Sequence, residues 1–475
     1  LLARARAAAD ARVQAAQPAG PTTIDVPYVP EMVRNQIRDE VRTEVIAQAR
    51  SEGWVAPNTM PDWLNRISFT GDFRLRYEGA FFDENNYPFF PDANAINEEG
   101  GVVTNEGFPL LNSTIDRTRF RYRARLGIKA QLSDQVFMGI TLASGSDDGA
   151  VSTNETLGDY FNKDDIWIDK AYLRYEPISG VAVVGGRMPN PFYSTDMVWD
   201  TDINPEGVAL DLKRTFGPAS VFAVAAYLPL QERELDSRDR YLVAGQVGAR
   251  YALADSVSVT GAAAYYNFQN IKSRKNPAQG SQIYDYTAPA ALAKGNSIFN
   301  MRTDGKTTLA GLASDFDVLN ITAAAEYTGF ENLAVRLTGD FAKNLAYDRR
   351  EIELLQAEAS VPSGDTAWQA RVDFGTTSSG RRGDWMVSAA YKRIETDAVL
   401  DIFTDSDFAL GGTDVEGYIL EGEYAVADGA TFNLKWLSSG SISRPPFAVV
   451  VFQATLVTEF WPWRSEPCFS RPPPG

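Results

Sequence analysis

The chain has 475 residues, a formal charge of −17 and a mean hydropathy of −0.24, and its length allows two or three globular domains or one large barrel. It has no histidine and a single cysteine, Cys468, which excludes Ser-His, Cys-His and His-ligated metal chemistry and an internal disulfide framework. Its acidity argues against a nucleic-acid partner, and because no run of 18 apolar residues exists, membrane-spanning helices are excluded.

Residues 1–30 are Ala-rich and then Pro-rich, and they read as a flexible lead-in. Leu1–Gly20 has no apolar core of the kind an export signal needs, so the chain reads as mature or truncated. A helix is expected over Glu31–Ser51, after Pro30 and before Gly53, with Val33, Ile37, Val41 and Val45 four residues apart. That spacing drifts around the helix and makes no clean heptad seam. A short trimeric coiled coil, a helix on a barrel rim and an isolated spacer all remain open. Residues 31–60 are read as this helix and its linker, on the periplasmic side.

From Ile67 onward the period changes to two. Phe69, Phe73, Leu75 and Tyr77 alternate with Thr70, Asp72, Arg74 and Arg76, and Phe120, Tyr122, Ala124 and Leu126 with Arg119, Arg121, Arg123 and Arg125. Sixteen such runs are expected, near 67–78, 117–131, 135–144, 166–176, 181–188, 206–214, 219–228, 240–253, 256–268, 316–329, 332–342, 366–376, 383–395, 416–426, 430–437 and 448–460. The connections between them alternate between long and short, with brief turns such as Ser133–Asp134 and Ala254–Asp255. A soluble sandwich has no reason to put every long loop at one end. A transmembrane antiparallel up-and-down β-barrel of about 16 strands does, with short turns on the periplasmic side. The barrel is expected over 61–460. Phe460 suits the aromatic last residue of such a barrel, and 461–475 read as a periplasmic extension or an anomalous end.

Arg117, Arg119, Arg121, Arg123 and Arg125 share one face of their strand, and Arg74 and Arg76 lie beside them if the first hairpin pairs. Near the midplane each would cost about 2–4 kcal/mol against lipid, so they are expected to line the lumen. Arg174 and Arg187, with Lys170, Lys213, Arg250, Arg336, Arg371 and Lys435, fall on polar phases too. The third long loop, 188–205, carries Asp196, Asp200 and Asp202, with Glu206 at its end. Folded inward, it would face the ladder at a constriction and set a transverse field. The alternative is that the arginines only pair with lumenal carboxylates and stiffen the wall. Trp63, Trp167, Trp199, Trp385 and Trp436 suit interfacial girdles. Nothing places two carboxylates as a general acid and base, so no catalytic residue, metal or cofactor is expected.

The first-strand segment 65–78, RTRFRYRARLGIKAQLSD (117–134), STNETLGDYF (152–161), AYLRYEP (171–177), GGRMPNPF (185–192), STDMVWDTDINPEGVAL (194–210) and DSDFALGGTDVEGY (405–418) carry a further signal. With the helical segment 33–41, they make the chain resemble the "putative porin" family of Gram-negative outer membranes. The resemblance implies an outer-membrane barrel with a porin role. The reading is passive diffusion of small hydrophilic solutes with an anion bias, in a homotrimer surrounded by outer-membrane lipid and lipopolysaccharide. The competing reading is a structural barrel that tethers the membrane through its N-terminal helix. An outer-membrane hydrolase is disfavoured by the lack of histidine. An active transporter would need about 22 strands and a plug, for which the chain is too short.

Overall fold

The computed structural model describes residues 66–460, apart from 105, 146–148, 235–236, 279, 358–363, 379 and 444. The helix expected over Glu31–Ser51, the tether built on it, Trp63 and the tail 461–475 lie outside the described residues.

Sixteen long strands follow in chain order: β1 Ile67–Phe82, β2 Arg117–Gln131, β3 Val136–Ser144, β4 Ile166–Ile178, β5 Val181–Arg187, β6 Glu206–Phe216, β7 Ala219–Gln231 and β8 Arg240–Ala254. They continue with β9 Val257–Gln269, β10 Asp317–Phe330, β11 Leu333–Asn344, β12 Thr366–Thr376, β13 Trp385–Ile394, β14 Val415–Ala427, β15 Ala430–Ser441 and β16 Ala448–Phe460. Each pairs antiparallel with the next, and β1 also pairs with β16, from Gly71 opposite Phe460 to Phe82 opposite Val449. The sheet closes on itself and leaves no edge. All sixteen expected runs coincide with a strand, and the boundaries move by a few residues.

The alternation of long and short connections holds. β4 and β5 turn at Gly180, whose φ of +81° and closeness to the Lys213 carbonyl leave no room for a Cβ. The long connections carry structure that the sequence reading missed. Helix α1, Ala93–Glu98, is capped by Asp92, which accepts from the Ala95 amide at 3.0 Å. Helix α2, Arg349–Gln356, is capped by Asp348 and ends at Ala357 with φ +59°. Val102–Val103 pairs with Thr307–Thr308, and Ile298–Asn300 with Ala310–Leu312.

Burial is inverted relative to a soluble domain. Phe120 is 55% exposed on the outer surface, whereas Arg123 on the opposite face of the same strand is 7% exposed. Gln246, Asp340, Arg371, Lys435 and Gln453 are also buried inside, while Phe73, Leu126, Val247, Leu337 and Leu420 point out. This is the apolar belt and polar lumen of a membrane-spanning barrel. The main apolar core lies within the cylinder. Phe192, Met197, Val198, Trp199, Ile203 and Phe408, from two long loops, pack on Leu242, Ala264, Tyr266 and Phe268 of the wall. Trp199 is therefore not a girdle residue: it sits in a connection that folds inward and fills a slot between aromatic rings. Trp436 does face outward, on the phase of Leu420, whereas Trp167 stands in register with Ala143 and Arg125 on the inward phase.

Replacing Phe120 and Tyr122 with Gln should impair insertion into liposomes, since each exchange removes about 1.5–3 kcal/mol of apolar transfer from the outer face. The heat-modifiable folded band on electrophoresis reports it. A normal yield of folded protein would contradict the orientation assigned to β2.

Candidate functional site

The β1–β2 register decides which charges meet. It sets Asp72 opposite Arg125, Arg74 opposite Arg123, Arg76 opposite Arg121 and Glu78 opposite Arg119. Two of these four rungs put cation against cation, so carboxylates must come between them. Glu78 lies 2.5 Å from Arg119, 3.6 Å from Arg121 and 3.7 Å from Arg76. Asp72 lies 2.8 Å from Arg123 and 2.6 Å from Arg125.

The other carboxylates come from loop three, residues 188–205, and loop seven, residues 395–414, both folded into the lumen. Asp202 is 3.1 Å from Arg123, 3.7 Å from Arg125 and 3.9 Å from Arg74. Asp407 receives Arg76 Nη1 on both oxygens at 3.1 Å. Arg74 also donates to Asn154 Oδ1 at 2.5 Å, and Arg121 to Ser152 Oγ at 3.4 Å and the Asn154 carbonyl at 3.3 Å. The acidic and basic faces thus touch at Asp202 and Asp407.

The two loops form one body. The Asp200 amide donates to the Phe403 carbonyl at 2.8 Å, and the Asp405 amide to the Asp196 carbonyl at 3.1 Å. The Ser406 amide donates to Asp200 Oδ2 at 2.8 Å. The Trp199 ring stacks on Phe403 with centroids 5.2 Å apart and on Phe192 at 6.2 Å, and meets Tyr266 edge-on at 5.5 Å. The body is pinned to the wall on the other side. The Nζ of Lys392, on β13 and fully buried, lies 2.9 Å from Asp196, 3.0 Å from Asp405 and 5.1 Å from the Phe408 ring centroid. Thr195 donates its hydroxyl to Asp340 of β11 at 2.5 Å.

Neighbouring acids of this body are driven in opposite directions. Burial, with Asp202 and Asp405 nearby, pushes the Asp200 carboxyl up to about 8. Burial also opposes ionisation of Asp202, but Arg123, Arg74 and Arg125 outweigh it and hold that carboxyl below the ordinary range. Asp407 is held down in the same way, with burial overcome by Arg76, Lys435 and Arg74.

Of the expected site residues, Arg74, Arg76, Arg119, Arg121, Arg123 and Arg125 share one network with Asp202. Arg117 is exposed at its outer end and makes no ion pair among the described residues. It lines a cleft of about 360 Å³ with Arg119, Arg121, Ser152, Asn154 and Asp407. Asp196 and Asp200 bind the two loops together instead of facing the arginines. Arg174 belongs to a separate network, with Asp211 at 2.9 Å and Glu176 at 3.3 Å near the β4–β5 turn. Arg187 and Glu206 pair with each other at 2.6 Å, one rung beyond Gly186 and Gly207. Glu206 thus opens β6 and is not a loop residue. The sequence reading missed Asp72, Glu78, Lys392, Asp405 and Asp407. The last two lie in the DSDFALGG segment, where an acidic pair before an aromatic and two glycines was the available signal.

Lys392→Met should destabilise the barrel by about 3–5 kcal/mol, because it strands two buried carboxylates. Adding Asp196→Asn and Asp405→Asn should recover much of the loss. Urea unfolding from liposomes measures both, and an unchanged midpoint for the single variant would remove Lys392 as the pin.

A family model described as "Putative porin" matches residues 2–460. No curated protein matches the chain. Among solved structures it is similar to a triple mutant of the Rhodopseudomonas blastica porin, at 12% identity and TM-score 0.37, over 83% of this chain and 100% of that one. It is also similar to the outer membrane channel DcaP of Acinetobacter baumannii, at 11% identity and TM-score 0.43, over 83% and 97%. A third similar structure is a loop-deletion variant of the outer membrane protein OmpT of Vibrio cholerae, at 11% identity and TM-score 0.40, over 83% and 100%. The family match takes in all sixteen strands together with loops three and seven, and the chain belongs to the putative porin family.

Proposed function

We propose that the chain is an outer-membrane diffusion porin that passes small hydrophilic solutes and favours anions. The observation that carries this reading is the polar cleft inside a closed barrel, lined by three successive arginines of β2 and entered past the exposed Arg117. Loops three and seven pack against β8–β13 and reach the inner rungs of the ladder at Asp202 and Asp407, so the open space lies beside Arg117, Arg119 and Arg121. An anion there meets guanidinium groups in a medium less screened than water, where charge selects among solutes. The long loops face the cell exterior and the short turns the periplasm, with outer-membrane lipid and lipopolysaccharide around the apolar belt.

The barrel assembles as a homotrimer in this reading. Ala225, Gly245, Gly261, Ala263, Ala323 and Ala325 stand on the outward phase of β7–β10, and such small residues allow two walls to approach closely. Chemical cross-linking in mild detergent should give a trimer band, and monomer alone would reject the assembly.

In planar bilayers the protein should give ohmic steps. Replacing Arg119, Arg121 and Arg123 with Gln should move the reversal potential in a salt gradient toward cation preference. The shift should shrink at high salt, because the Debye length falls from about 10 Å at 0.1 M to about 3 Å at 1 M. An unchanged ion preference in the folded variant would reject the ladder as the selecting element.

A further inference from the structure

We propose that the arginine ladder holds two binding sites for the carboxylate of a permeating solute, and that Asp202 and Asp407 occupy them as resident carboxylates until the solute's own carboxylate exchanges for them. One site is Arg74, Arg123 and Arg125; the other is Arg76 with Arg121. The inference rests on the porin reading above and names how that porin handles an organic anion.

The contacts of the resident acids carry the argument. A guanidinium matches a carboxylate best through two parallel N–H donors. Asp407 brings both oxygens to a single nitrogen, Nη1 of Arg76, at 3.1 Å. Asp202 is divided among three arginines at 3.1, 3.7 and 3.9 Å, one nitrogen from each. Neither acid makes the fork, because each hangs from a backbone held elsewhere, Asp202 next to the Asp200–Ser406 bond and Asp407 next to the Lys392–Asp405 pair. Donors are left over as a result. Arg76 Nε and Arg121 Nε are buried without an acceptor among the described residues, and the Arg76 side chain is only 8% exposed. A carboxylate free to turn could take the fork that Asp407 leaves unused at Arg76, while at Arg74, Arg123 and Arg125, whose Nε atoms already bind Asn154 and Asp72, it would replace Asp202 on the remaining donors.

The position is also right for exchange. Counting inward from Arg117, the cleft covers the first three rungs, Asp407 closes the Arg76–Arg121 rung, and Asp202 lies on the rungs below. A small organic anion in the cleft therefore arrives beside Arg117, Arg119 and Arg121 and meets Asp407 first. Exchange replaces one negative group by another, so the buried guanidinium groups are never left without a counter-charge, which keeps the step from requiring an isolated buried cation.

The probe is benzoate, tested on the full chain in two ways: calorimetric titration of the detergent-purified protein, and block of chloride current in bilayers at 0.1 M KCl. In the Asp202→Asn, Asp407→Asn double variant the tethered competitors are gone. Benzoate should bind about tenfold or more tightly than to the wild type, as expected when an intramolecular ligand at millimolar effective concentration is removed. Arg76→Gln, in the wild-type background, should weaken binding several-fold. Glu353→Gln, on α2 and paired there with Arg349, should change nothing. Equal or weaker benzoate binding in the folded double variant would overturn the exchange. Should that variant fail to fold, unaltered binding in Arg76→Gln would do the same. Absence of ohmic steps in the wild type would remove the porin reading, while the calorimetric comparison would still decide the carboxylate sites.

Discussion

Hydrocarbon offers no partner to a peptide N–H or C=O, and every other feature of this molecule follows from that. A strand that crosses a membrane must find a neighbour on both sides. Sixteen strands satisfy one another only because Gly71–Phe82 of the first meets Val449–Phe460 of the last. Once the cylinder is closed, alternation does the sorting. One face of each strand meets lipid and the other meets the lumen, so a run of arginines at every second position has one place to go. The charges on β2 are inside because the aromatic residues between them belong outside.

Placing so many cations along one wall creates a second constraint. Facing arginines on adjacent strands repel, and water in a narrow lumen screens them poorly. Asp72 and Glu78 supply part of the answer from the barrel wall itself. Asp202 and Asp407 supply the rest from loops that lead away from the wall and return. Those loops need anchorage of their own, which comes from Lys392, from Asp340 and from the aromatic stack around Trp199. The interior is thus one connected system, in which a lysine on β13 helps determine where a carboxylate stands against β1.

The cylinder was legible in the sequence, and of its contents so were the arginine face and the inward third loop with Asp202, but not the partners that hold them. Period-two alternation is a local property, and it located all sixteen strands. The short turns, fixed by residues such as Gly180, gave the parity. The phase of Arg117–Arg125 fixed their inward direction without any knowledge of neighbours. Partner choice is another matter. Arg76 and Asp407 are 331 residues apart, and Asp200 and Ser406 are 206 apart. No pattern along the chain announces such meetings. Trp199 was misread for the same reason: an isolated tryptophan looks alike whether it meets lipid or a Phe403 that follows 204 residues later. Arg187 was placed with the lumenal cations by its polar phase and Glu206 with the third loop, whereas the two pair with each other beyond the positive-φ rung of Gly186 and Gly207.

The seam between β1 and β16 also has a meaning for how the molecule comes into being. The Thr458 hydroxyl meets the Phe73 carbonyl across 385 intervening steps of chain, so the contacts that complete the cylinder are among the most distant in sequence that it makes. Contacts of that kind form slowly. Until the last strand arrives, β1 presents an unpaired row of amides and carbonyls, which is the template on which chains stick to one another. Biogenesis of this protein is therefore a race between ring closure and aggregation, and a chaperone that shields the edge of β1 would act at the step where that race is decided.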